Sequence, residues 1–121
     1  MADEIQMTAR LYAAKGGAYL PSVTYTKSVT MSGTDMGSQT QIIGTTVEAL
    51  DVPVDVTAPY KLLVSNLDST NFVDLGFVSG TYTMRIPAGE TMLIPYVASG
   101  QTLYFRADTA AVTVQATFCE I

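Results

Sequence analysis

Apolar and polar residues alternate with a period of two along most of this chain, and helical periodicity is nearly absent. Ile5, Met7, Ala9 and Leu11 alternate with Gln6, Thr8 and Arg10, which predicts a first strand. Lys15-Gly16-Gly17 supplies a turn, and a second strand runs between Pro21 and Met31, with Val23, Tyr25, Val29 and Met31 against Thr24, Thr26, Ser28 and Thr30. Lys27 falls on the apolar side of that strand, so it is expected at an edge or a bulge. Further strands are predicted over residues 61–66, 72–77, 81–86, 91–97 and 101–106, and over a last segment in which Val112, Val114, Ala116 and Phe118 face one way. Polar turn clusters separate them at 67–71, 78–80 and 98–100. Pro87-Ala88-Gly89-Glu90 is the strongest of the turns, because Pro sets φ and Gly accepts the positive φ that follows.

Three stretches break the alternation. Residues 32–41 (S-G-T-D-M-G-S-Q-T-Q) are polar and rich in small side chains, and read as a mobile loop. Ile42 and Ile43 allow a short strand, and residues 46–50 are the one place where a single helical turn fits. Pro53 and Pro59 exclude a central strand over 51–59 and suggest an edge segment. About eight or nine short strands with turn signals at regular spacing predict an all-β fold: one antiparallel β-sandwich over 1–121, jelly-roll-like.

Composition narrows the function. Only 14% of residues are charged while 48% are hydrophobic, and threonine is used heavily. A charge-poor exterior of this kind suits a surface that meets other protein. The net charge of −5, with Arg10, Lys15, Lys27, Lys61, Arg85 and Arg106 scattered, argues against nucleic acid. The single Cys119 excludes an internal disulfide and reads as a small apolar filler at the end of the last strand. The first residues carry no basic and apolar leader pattern, and no apolar run approaches the ~20 residues of a bilayer span. The expectation is therefore synthesis and residence in a reducing cytoplasm until assembly, with no membrane partner.

The chemistry of enzymes finds little purchase. Without histidine, Ser-His-Asp and Cys-His arrangements are impossible and the commonest metal ligand is missing. Phosphate-cradling glycine motifs are absent. Among carboxylate pairs, Asp51/Asp55 and Asp68/Asp74 are the candidates; Asp68 suits an Asx turn, and Asp74 alternates with Val73 and Leu75 onto the wet face. Asn66, Asp68 and Asn71 converge on one turn, but turn chemistry accounts for them better than calcium does. Tyr12, Tyr19 and Tyr60 fall at strand ends, which offers no aromatic platform for a sugar. No catalytic residue, cofactor or metal site is predicted.

The series T-Q-I-I-G-T-T-V-E-A-L at 40–50, N-L-D-S-T-N-F-V-D-L-G at 66–76, I-P-A-G-E at 86–90 and the Glu120 ending resembles small structural proteins of tailed bacteriophages. The resemblance covers about the last two thirds of the chain; the first third, with its 32–41 loop, matches nothing. It implies a non-enzymatic virion component made in the host cytoplasm. The first choice is a capsid decoration (cement) protein that bridges the major capsid protein or other virion proteins. A tail, neck or baseplate module, such as a receptor- or glycan-binding adhesin, is the alternative. Such proteins form closed homo-oligomers, often trimers. The contacts are expected at Met1 to Ile5, at the 32–41 loop through Ser32, Asp35 and Gln41, and at the 67–71 turn through Leu67, Asp68 and Asn71.

Overall fold

The alternation over the first strands closes into a ribbon of two antiparallel strands, β1 (Ile5–Leu11) and β4 (Val23–Val29), with Ile5 opposite Val29 and Leu11 opposite Val23. The computed structural model describes residues 4–21 and 23–121; Met1 lies outside them. Between the two strands sit β2 (Ala14–Lys15) and β3 (Ala18–Tyr19), joined by Gly16 and Gly17. Both glycines have positive φ, 58° and 85°, as a two-residue hairpin turn that follows the twist of its strands requires. These elements belong to a first compact unit, residues 1–32, and the rest of the chain forms a second, residues 33–121. The ribbon thus lies in the first unit and the sandwich strands in the second.

The body holds eight strands: β5 (Met36–Ile43), β6 (Glu48–Ala49), β7 (Tyr60–Asn66), β8 (Val73–Gly76), β9 (Met84–Ile86), β10 (Thr91–Val97), β11 (Tyr104–Ala107) and β12 (Val112–Glu120). They form two antiparallel four-stranded sheets, β10-β7-β12-β5 and β6-β11-β8-β9. The first of the eight pairs with the last, the second with the seventh, the third with the sixth and the fourth with the fifth. That nested pairing is the jelly roll, the architecture expected from the strand count and turn spacing.

Inward-facing residues of both sheets make one core. Leu62, Val64, Val112, Val114, Ala116 and Phe118 come from the first sheet; Val73, Leu75, Ile86, Phe105 and Ala107 come from the second. Phe118 meets the Tyr60 ring edge to face at a centroid distance of 5.2 Å. The alternation of β12 places its four predicted apolar residues inward.

Three local expectations change. Residues 36–41 of the expected loop belong to β5, paired along its length with β12. Their inner-facing polar side chains are satisfied by main chain: the Gln41 amide donates to the Ala49 carbonyl at 3.0 Å and its oxygen accepts from Asp51 N at 2.8 Å. The helical turn over 46–50 is instead the short strand β6, because Leu50 is drawn into the core and its N–H bonds the Leu103 carbonyl. Asp74 is not on a wet face: it is buried, for the reason given below.

Candidate functional site

Among the predicted contact residues, several are held by the body's own bonds. Asp35 N donates to Glu120 Oε1 at 3.3 Å, and the Asp35 carbonyl accepts from Glu120 N at 3.0 Å. Gln41 is committed to residues 49–51 as described. Asp68 Oδ2 accepts from Thr70 N and Asn71 N at 2.9 and 2.6 Å, and these bonds hold its carboxyl below the usual range. Asn66, Asp68 and Asn71 do converge, but as a hydrogen-bonded turn. Leu67 is exposed at its tip. Ile5 is buried at the start of β1, and Ser32, at the end of the first unit, is exposed.

A broader surface lies on the outer face of the β10-β7-β12-β5 sheet. Strand register sets its residues in rows: Thr91, Ser65, Gln115 and Thr40, then Leu93, Leu63, Thr117 and Ser38, then Lys61, Cys119 and Met36. Lys61 is the one charged residue in these rows, and its ammonium donates to the Pro95 carbonyl at 2.9 Å. The hydroxyls pair with each other across strands, Ser38 with Thr117 at 3.1 Å and Ser65 with Thr91 at 3.0 Å. Polar groups bonded within the face cost less to cover than groups left to water. Ile42, 68% exposed, together with Met36 and Leu63, gives the same face apolar area. Cys119 is half-buried here, pointing away from the core, and not the buried filler expected of it.

The ribbon offers a second surface. Directly opposed residues share a face, so Ile5, Met7, Ala9 and Leu11 lie with Val29, Lys27, Tyr25 and Val23. The Ile5 end is covered, whereas Leu11 is 80% and Tyr25 73% exposed. Tyr12 and Tyr19 are exposed as well, contrary to the expectation that the tyrosines offer no platform.

On the other sheet, Arg106, Asp74 and Arg85 stand opposite one another on β11, β8 and β9. Arg85 Nε donates to Asp74 Oδ1 at 2.7 Å and its Nη2 to Oδ2 at 3.3 Å, while Arg106 approaches to 3.8 Å. The Arg85 guanidinium lies 3.5 Å from the Phe72 centroid and that of Arg106 4.4 Å from Tyr82. The two arginines roof Asp74, which is why an outward-pointing carboxylate is buried. The bond to Asp74 also raises the Arg85 pKa.

Among the described residues no group of histidine, cysteine, aspartate or glutamate is placed to hold a metal ion. No helix among them is long and apolar enough to cross a membrane. In comparison with known proteins, no family model, curated protein or solved structure matches this chain. The placement of these two charge-poor surfaces could not be read from the sequence. Their signal is visible in retrospect: Leu63, Leu93 and Ile42 are apolar at strand positions where alternation calls for a polar residue.

Proposed function

We propose that this chain is a non-enzymatic structural component of a bacteriophage virion, a capsid decoration protein that bridges and stabilises shell subunits. The observation that carries this reading is the charge-poor outer face of the β10-β7-β12-β5 sheet, with Lys61 its one charged residue in the paired rows and the hydroxyls of Ser38 and Thr117, and of Ser65 and Thr91, bonded to each other. A face of that kind is covered by protein at little desolvation cost. The jelly-roll body is a framework that viral capsid domains also use, a likeness of fold alone. Bridging works by fit: each contact is weak, and binding that favours the folded state stabilises both partners by mass action. The partners are the major capsid protein or other virion proteins. The test is quantitative protein analysis of purified particles. The chain is expected at high, stoichiometric copy number on the head; particles that lack it end the reading.

The second reading is a tail, neck or baseplate module that binds a receptor or glycan. It is favoured by Tyr19, Tyr25 and Tyr96, whose rings are exposed and present flat apolar surface to a sugar. Low copy number per particle together with specific hits on a glycan array would select it over decoration.

A further inference from the structure

A ribbon of two strands is marginal in water by itself, because one layer has nothing to pack against. The ribbon here has a strongly two-sided composition: Gln6, Thr8, Arg10, Thr24, Thr26 and Ser28 on one face, and seven apolar residues with Lys27 on the other. Its apolar face opens toward Leu11, Val23 and Tyr25. Such a face calls for a cover that is flat, poor in charge and about as long as the ribbon. Seven paired positions span about 23 Å at the usual rise per residue.

The body supplies a face of that description. β7 and β10 have seven residues each and β12 nine, so the sheet matches the ribbon in length. Its outer face carries apolar Leu63, Leu93, Ile42 and Met36 among hydroxyls of which Ser38 and Thr117, and Ser65 and Thr91, bond each other. Charge points the same way. The first 32 residues hold Arg10, Lys15 and Lys27 against two acids, whereas residues 33–121 hold nine acids against Lys61, Arg85 and Arg106. The two units are opposite in net charge as wholes, which speeds encounter between copies and disfavours pairing of ribbon with ribbon, while the charges on the docked faces themselves are Lys27 and Lys61, the latter tied to the Pro95 carbonyl.

We infer that the apolar face of the ribbon docks on the outer face of the β10-β7-β12-β5 sheet of a second copy of this chain. Exchange of ribbons between copies closes a symmetric oligomer and covers both surfaces at once. Tyr25 and Leu11 are its anchors on the ribbon, and Leu63 is its anchor on the sheet. This inference assigns to a second copy the same sheet face that the particle reading gives to virion proteins, yet the two fail separately, since self-association is measured on the purified chain and location on the virion.

Sedimentation of the full chain over a range of concentrations tests it. The expected result is a concentration-dependent closed oligomer. Tyr25→Asp and Leu63→Asp each weaken it by about thirtyfold, as loss of a central anchor does, while Thr26→Asp on the opposite ribbon face leaves it unchanged. A second measurement does not depend on those variants folding. Chains carrying Ala9→Cys and Cys119→Ser are mixed with the wild-type chain, whose own Cys119 lies on the receiving face, and mildly oxidised. A disulfide-linked pair of one chain of each kind is expected, in greater yield than from Thr8→Cys on the polar ribbon face. A wild-type chain that stays monomeric at all concentrations overturns the inference. So does equal cross-linking from Ala9→Cys and Thr8→Cys.

Discussion

The Asn66 side-chain amide donates to the Ile86 carbonyl at 3.1 Å, joining the end of β7 in one sheet to the end of β9 in the other. The same nitrogen donates to the Asn71 carbonyl at 2.9 Å, and Asn66 Oδ1 accepts from Asp68 N at 2.9 Å. One side chain, 2% exposed, thereby closes a turn and pins two layers together. Asn66→Ala leaves buried main-chain groups without partners, and a loss of about 2–3 kcal/mol is expected. Urea unfolding measures it; a change within error would show that water replaces the amide.

Gly76 ends β8 where the chain approaches itself closely. A Cβ there would stand 2.2 Å from the Thr81 carbonyl oxygen, which is main chain and has no rotamer by which to withdraw. Gly76→Ala is expected to cost about 3 kcal/mol through forced separation of residues 76 and 81. Thermal unfolding reports it, and an unchanged midpoint would mean that the 78–81 turn shifts freely.

Glu120 is expected to make the body sensitive to acid. Its Oε2 accepts from Thr57 N and Thr57 Oγ1, both at 2.8 Å, and its Oε1 from Asp35 N, so its carboxyl titrates below the ordinary value of 4.5. A depressed folded pKa contributes stability that is complete above the unfolded value and is lost as pH falls through the folded one. The melting midpoint should therefore decline as pH drops below 4.5. Glu120→Gln should melt lower at neutral pH and show a shallower decline in acid. Parallel pH profiles for the two proteins would contradict this assignment.

The roof over Asp74 predicts an asymmetry. Arg85→Ala strands a buried carboxylate beneath the more distant Arg106, whereas Asp74→Asn releases two half-exposed arginines to water. Because removing the partner of a buried charge costs more than freeing an exposed one, Arg85→Ala should be the more destabilising change. Denaturant midpoints of the two variants decide it, and the reverse order would refute the roofing account.

Every member of the main apolar core lies between Ile43 and Phe118. A chain of residues 33–121 should accordingly fold cooperatively, whereas a peptide of residues 1–32 should lack stable strand structure. Circular dichroism of both fragments checks this, and a stably folded ribbon peptide would remove the need for a covering partner.

Much of the fold was legible because it rests on local rules. The alternation at Ile5–Leu11 and Val112–Phe118 appears in the structure as read, as does the turn at Pro87–Glu90, closed by a 3.1 Å bond from Glu90 N to the Pro87 carbonyl. The Asx bonds of Asp68 were legible for the same reason, since they reach only two and three residues along the chain. Residues 36–41 were not legible. Their polar, small side chains carry no strand signal, and β12, some 80 positions away, is what makes them a strand. Asp74 was misread because alternation tells which way a side chain points and not what covers it.

The sequence by itself determined the class of fold and the place of most strands and turns, because these depend on period-two burial and on turn residues acting over a few positions. It also determined the scarcity of charge that makes these surfaces suitable for protein contact. Tertiary structure alone decided the nested order of the sheets, the division of the chain into two units, and the gathering of Leu63, Ile42 and the paired hydroxyls on one charge-poor face. Those outcomes rest on pairing between residues far apart in the chain, where the global fit of two apolar layers, and not any local preference, selects the partner.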